Sequence, residues 1–209
     1  MTDLHHSRSK SLLGLLLEVV LISLGVFLGL LAEQWRASHH EHEEAQAALR
    51  NFRTEILINE KAIEVVKDYH SQLHQQLKAF LSSEGPMTAE RYRQEVHIRD
   101  ELPLAVTFEH STWDLALATQ SLSFVKPDLA AALARVYTTQ QAFQTLQVAA
   151  VQGWMSPAAF SRDDQYATAS ALRAYLDDVI YLEPNLLHLY RQLLKQIDGA
   201  LDETSSPRP

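Results

Sequence analysis

Leu12 to Ala32 is a run of 21 residues with a single ionisable side chain, Glu18. As an α-helix rising about 1.5 Å per residue it covers roughly 30 Å, the thickness of a bilayer's hydrocarbon core. Hydrocarbon offers no partner for open backbone groups, so a single run of this kind crosses it only as a helix. A cleaved signal peptide is the competing reading. The run exceeds the usual apolar core of such a peptide, however, and no pair of small residues spaced for cleavage lies near its end. Residues 12–32 are therefore expected to remain as a transmembrane helix. Arg8 and Lys10 precede it, whereas Glu33 to Glu44 carry four Glu against one Arg. That asymmetry predicts a cytoplasmic tail over residues 1–11 and, in a bacterial inner membrane, a periplasmic remainder.

At 100° per residue, Ser11, Gly14, Glu18, Gly25, Gly29 and Ala32 fall within about 40° of one line along this helix. Leu, Val, Ile and Phe occupy the other sides and suit lipid tails. Small residues let a second backbone approach, and Gly25 and Gly29 have the small-xxx-small spacing of associating membrane helices. The face Gly14, Glu18, Gly25, Gly29 and Ala32 is thus expected to pack against this same protein or another membrane protein. There Glu18, as a neutral acid, can both donate and accept hydrogen bonds between helices. The functional alternative makes Glu18 a proton carrier or cation partner in a transporter or ion-driven complex, since intramembrane acids often mark such pathways. Trp35, half apolar and half polar, is the expected interface anchor.

Glu18, Gly25 and Trp35 form a pattern of glutamate, six residues, glycine, nine residues and tryptophan. The pattern resembles the signature of an uncharacterised bacterial family of single-pass membrane proteins, a domain of unknown function. The resemblance continues into the charged stretch with Leu49, Phe52, Glu55, Ile56 and Asn59, and into STWDLALATQSLSFVKPDLAAALARVY, residues 111–137. There the family has an aromatic-rich helix, a short turn and a second helix ending in tyrosine. The chain departs at Leu17, where the family commonly has glycine, and at Gln34 and Arg36, which flank Trp35 where the family has asparagines. The resemblance implies this layout and no activity.

Neither glycine nor proline occurs between Gly29 and Gly85, so nothing local stops the helix from continuing over 33–82. A seven-residue register runs through that stretch. Leu49, Ile56, Ile63, His70 and Leu77 hold one position; Ala45, Phe52, Asn59, Val66, Leu73 and Phe80 hold the other. This is a coiled-coil-like seam for another helix, with Asn59 and His70 as polar interruptions that fix register.

SSEGP (82–86) breaks the helix, and Thr88 caps a short one to about His97. IRDELPLAVTFEH, residues 98–110, has no helical period and reads as a loop. Ser111 is the expected N-cap of a helix carrying Trp113, Leu115, Leu117 and Leu122, with Asp114 in its first turn. Lys126-Pro127-Asp128 opens the next, buried through Leu129, Leu133, Val136, Tyr137, Phe143 and Leu146 to about Gln152, before a turn from Gly153 to Pro157. Asp163 or Asp164 caps a last long element with Leu172, Tyr175, Leu176, Val179 and Ile180. Pro184 is expected to kink or break it, and the pattern resumes from Asn185 to Leu201. The fold class is all-α. A transmembrane helix continues into a long helix, the rest of the bundle occupies 83–203, its last helix packs along the first, and 204–209 form a disordered tail.

Twenty-six Asp and Glu against 18 Lys and Arg give a net charge of -8, which repels phosphate backbones and argues against nucleic acid. Absent cysteine excludes disulfides and thiolate metal sites. HExxH, GxSxG, P-loop and dinucleotide fingerprints do not occur, and no cofactor is called for. His39, His40, His42 and Glu43 in HHEHEE are weak metal candidates, because two ligands four apart on one helix face make an incomplete site. His70 and His74 repeat that spacing but fall on or beside the seam. Asp163-Asp164 and Asp177-Asp178 point apart on a helix and make poor acid/base couples, while Trp113 and Trp154 read as core residues. The expected function is non-enzymatic scaffolding or assembly at the membrane. The alternatives are the accessory transport subunit and a periplasmic metal-responsive sensor.

Overall fold

A computed structural model describes residues 12–99, 104–154 and 165–205. Arg8, Lys10 and Ser11, Pro103, the turn residue Pro157, the caps expected at Asp163 or Asp164, and residues 206–209 lie outside them. Every long element is helical and no strand occurs among the described residues, as an all-α fold requires. Helix α1 runs Leu12–Ser82, α2 Ala89–Glu95, α3 Ser111–Thr119, α4 Pro127–Trp154 and α5 Gln165–Ser205. A short 3-10 turn, Ser121–Phe124, joins α3 to α4. Residues pack as two units, Met1–Glu44 and Ala45–Pro209, so the bundle proper begins at Ala45 rather than directly after the apolar run.

Within the second unit the heptad seam of α1 is filled by the chain's own helices. Phe52, Ile56, Ile63, Val66, Leu73, Leu77 and Phe80 are fully buried with Leu133 and Phe143 of α4 and Leu176, Val179, Leu186, Tyr190, Leu193 and Ile197 of α5. Helix α5 runs antiparallel to α1. Arg53 pairs with Asp198 at 2.7 Å, Arg191 with Glu60 at 2.7 Å and Glu64 at 2.8 Å, and His74 with Asp177 at 2.7 Å. Helix α4 runs parallel to α1, since Glu55 meets Tyr137 and Asn59 meets Gln140.

Two parallel helices need a long return. It falls in the stretch expected as a loop, whose described residues, 98–99 and 104–110, lie along the bundle. His97 N–H donates to Gln76 Oε1 at 2.9 Å and Arg99 N–H to the Tyr69 hydroxyl at 3.1 Å. Lower down, Leu104 C=O accepts from the Tyr175 hydroxyl at 2.6 Å. Gln147, with its amide turned to satisfy both groups, donates to Val106 C=O and accepts from Val106 N–H, each at 2.8 Å. Asn59 does the same to Glu109, donating to its C=O and accepting from its N–H at 2.8 Å. Buried main chain with no neighbouring strand must be satisfied by side chains, and helix-borne amides supply one acceptor and two donors each. Val106 and Phe108 point inward and are buried, while Thr107 and Glu109 face out. This strap fills the groove between α1 and α4.

The two polar interruptions of the seam therefore have partners. Asn59 also donates to Gln140 Oε1 at 3.1 Å; Gln140 Nε2 donates to Glu109 C=O at 3.0 Å, and the Tyr190 hydroxyl donates to Gln140 Oε1 at 2.7 Å. His70 Nδ1 lies 2.7 Å from Glu183 Oε1 on α5, with both side chains shut off from solvent. A third buried polar centre was not anticipated. Glu55 accepts from the Tyr137 hydroxyl at 2.5 Å, from Thr112 N–H at 2.7 Å and from the Ser111 hydroxyl at 3.1 Å. Burial foremost, then the hydrogen bond to Glu55, raises the Tyr137 phenol above its ordinary value; burial and then the charge of Glu55 do the same for Tyr190.

Several local expectations are corrected. Ser111 does not cap α3: His110 holds the cap position without a side-chain bond, and Glu55 of α1 satisfies the first turn from outside. Leu115 and Leu117 are exposed, and Ala116 is the fully buried residue of α3. Pro184 does not interrupt α5, which is helical on both sides. Val179 before it and Leu186, Leu187 and Tyr190 after it are all buried. Both halves are thus held to one core, which offsets the roughly 3 kcal/mol a mid-helix proline costs. Thr204 and Ser205, expected in a disordered tail, are helical, and Glu203 just before them pairs with Lys126. Thr88 caps α2 as expected, accepting from Arg91 N–H at 3.2 Å.

Candidate membrane-association face

The amino-terminal part of α1 is helical throughout, so the small-residue line assembles as the sequence implies. Gly14, Glu18, Gly25, Gly29 and Ala32 share one flank of a regular helix, and each is exposed. A methyl group added at Gly14, Gly25 or Gly29 would meet nothing within 4 Å. Those glycines are not required by any contact within the chain. Their missing side chains leave a shallow channel into which a second helix's backbone can settle.

The rest of the circumference is apolar and equally uncovered. Leu16, Leu17, Ile22, Val26 and Leu30 are each about 60% exposed or more. The most apolar window has a mean hydropathy of 2.6 and no buried share, so this one helix is long and apolar enough to cross a membrane. Contiguous exposed apolar surfaces of that extent mark protein- or membrane-interaction sites. Trp35 is 74% exposed at its end and stacks on His39, ring centres 5.9 Å apart and 9° from coplanar.

Beyond Trp35 the HHEHEE tract lies along the exposed helix. His39 Nε2 and Glu43 Oε1 are 3.3 Å apart, the i, i+4 contact of one helix face. His40 and His42 are exposed on the same stretch. Among the described residues no three His, Asp or Glu side chains converge as a metal-binding set. His70 and His74, the other histidine pair, face Glu183 and Asp177 respectively instead of a common centre. Asp177 also meets Arg173 at 3.5 Å. Trp113 stacks on Tyr137 at 4.9 Å and packs against Phe52, as a core residue does; the Trp154 side chain lies outside the described set.

Of the polar residues that organise the bundle, Glu55 stood out only within the family resemblance, and Gln140, Gln147 and Glu183 carried no distinguishing signal. Each sits beside apolar seam residues at a spacing that also fits a solvated helix edge. No family model, curated protein or solved structure matches the chain.

Proposed function

We propose that the protein is a single-pass inner-membrane scaffold or assembly component. Its amino-terminal tail is cytoplasmic, its bundle periplasmic, and it grips a companion through Gly14, Glu18, Gly25, Gly29 and Ala32. One observation carries the reading: the apolar window of α1 buries nothing against its own chain, while Ala45–Pro209 encloses a complete core without it. Lipid satisfies the bulky sides of such a helix, and only close packing uses its glycine flank. Companions are another copy or a second membrane protein, and lipid covers the remainder.

A photo-crosslinking side chain placed singly at Ile22, beside the flank, and at Phe27, opposite it, tests this in native membranes. Protein adducts at position 22 and lipid adducts at 27 are expected, and Gly29→Leu should abolish the former by filling the channel. Equal protein adducts at both positions, or lipid alone at 22, overturn the assignment. Glu18→Gln then separates scaffold from transport subunit. An amide preserves hydrogen bonding, so adducts retained with loss of a companion's transport activity would replace the structural role with a protonic one.

A further inference from the structure

We infer that the tip of the bundle formed by the end of α3 and the following 3-10 turn rests on the lipid headgroup layer, an inference that presupposes the membrane anchor proposed above. Helix α3 advances towards the start of the bundle unit: Ser111 meets Glu55 of α1, and Trp113 then meets Phe52. The carboxyl end of α5 reaches the same end, where Asp198 pairs with Arg53 and Glu203 with Lys126. Leu115, Leu117 and Phe124 therefore lie at the end of the bundle nearest Ala45, and they are 58%, 54% and 41% exposed.

The tip combines exposed apolar side chains with an uncharged stretch of chain. From Leu115 to Val125 there is no Asp, Glu, Lys, Arg or His; the polar residues are Thr119, Gln120, Ser121 and Ser123. Asp114, just before this stretch, lies 2.6 Å from His110 Nδ1, and Lys126 follows at the far edge. Leucine and phenylalanine among uncharged hydroxyl and amide groups, with a lysine at the margin, match the boundary between acyl chains and headgroups. Gln120 has a left-handed backbone, φ 58°, which turns the chain between the end of α3 and the 3-10 turn.

Tethering favours lipid over a soluble occupant. Twelve residues, Glu33 to Glu44, separate the last apolar residue of the span from the first residue of the bundle unit. Even fully extended, twelve residues reach no more than about 43 Å. The membrane surface is thus held permanently within reach of the tip at an effective concentration no diffusing protein matches.

The absence of native cysteine makes a direct test simple. The full chain is reconstituted in phosphatidylcholine–phosphatidylglycerol vesicles with one nitroxide-labelled cysteine at Leu117→Cys, Phe27→Cys or Tyr181→Cys. Relaxation by oxygen, which concentrates in lipid, is compared with relaxation by a water-soluble nickel chelate. Tyr181, 75% exposed on α5, serves as the water reference. The oxygen-to-nickel ratio at 117 should shift towards the value at 27 and away from that at 181. Nickel-favoured relaxation at 117 equal to that at 181, with 27 in lipid, overturns the inference while leaving the anchor intact. Shielding of 117 from both reagents means a protein covers the tip and also overturns it. Nickel access at 27 would instead refute the anchor on which the inference rests.

Discussion

Replacing Asn59 by leucine separates two accounts of a polar residue in an apolar seam. If Asn59 only fixes register, leucine, the best residue for such a position, should stabilise the bundle. The structure requires the opposite. Asn59 is wholly buried and clasps Glu109 by both main-chain groups at 2.8 Å, with a third bond to Gln140 at 3.1 Å. In Asn59→Leu, Glu109 C=O keeps Gln140 Nε2 and Gln140 Oε1 keeps Tyr190, so Glu109 N–H is the group left without its partner. An orphaned donor costs about 1–3 kcal/mol, and the two weakened acceptors add about 1 kcal/mol together. Fitting a longer branched side chain against the strap costs roughly another 1–2 kcal/mol. Greater apolar burial returns about 2 kcal/mol. The net is a loss of about 2 kcal/mol, or roughly 4–8 °C in Tm for a unit of this size. Hydrogen exchange should accelerate first at Val106 and Glu109, whose N–H groups the clasps protect. A variant melting at or above the parent, with the strap still protected, would refute the clasp.

Three further outcomes follow from the buried polar groups. Glu55→Gln puts an amide N–H against donors from Tyr137 and Thr112, so about 2 kcal/mol is lost and exchange rises across α3 while α4 stays protected; uniform protection would contradict external capping. Burial pushes the Tyr175 phenol up to about 12, against a Gln147 hydrogen bond that lowers it and with a smaller upward push from Glu183, and Tyr137 and Tyr190 are also raised. A folded value above the unfolded one gives stability that is full below about pH 10 and lost above it, at about 1.4 kcal/mol per pH unit per phenol. Denaturant midpoints should therefore fall between about pH 10 and 12, less steeply in Tyr137→Phe, and a flat profile would contradict burial of the phenols. Glu183→Leu removes the carboxylate facing buried His70 and should cost about 3 kcal/mol, whereas His70→Leu with Glu183→Leu should recover most of it; no recovery would show that the pair is not an isolated unit.

The helical seam was legible because its residues differ from their neighbours by what water does to them. Leu49, Phe52, Ile56, Ile63, Val66, Leu73, Leu77 and Phe80 recur at the spacing that puts them on one stripe, and all are buried. Asn59 and His70 were legible as interruptions of that stripe, though their partners were not. Asn59 bonds to main chain 50 residues away and His70 to a carboxylate 113 residues away. No local pattern encodes such a distance. The apolar span and its glycine flank were legible for the same reason as the seam, through side-chain size and polarity repeating at the helical period.

The misread segments are those where tertiary contacts outweigh local rules. Ser111 has the right chemistry for a cap, yet its hydroxyl donates to Glu55 of α1, which also accepts from Thr112 N–H, and the Asp114 N–H that a capping serine would bind goes to His110 C=O. Pro184 breaks an isolated helix, but burial on both of its sides outweighs one missing bond. Residues 104–110 read as a loop because they lack a helical period, and their inward Val106 and Phe108 alternate over too short a span to announce an extended strap. Yet the strap explains otherwise costly choices on its neighbours. Asn59, Gln140 and Gln147 are buried amides on helices that could have been wholly apolar, and each answers main-chain groups of Val106 or Glu109. Two parallel helices followed by an antiparallel third require a return path, and a chain too extended to satisfy its own backbone draws polar side chains into the core to do so. The buried amides are thus a consequence of the connectivity, and the positions of Asn59, Gln140 and Gln147 along α1 and α4 trace the path of the strap.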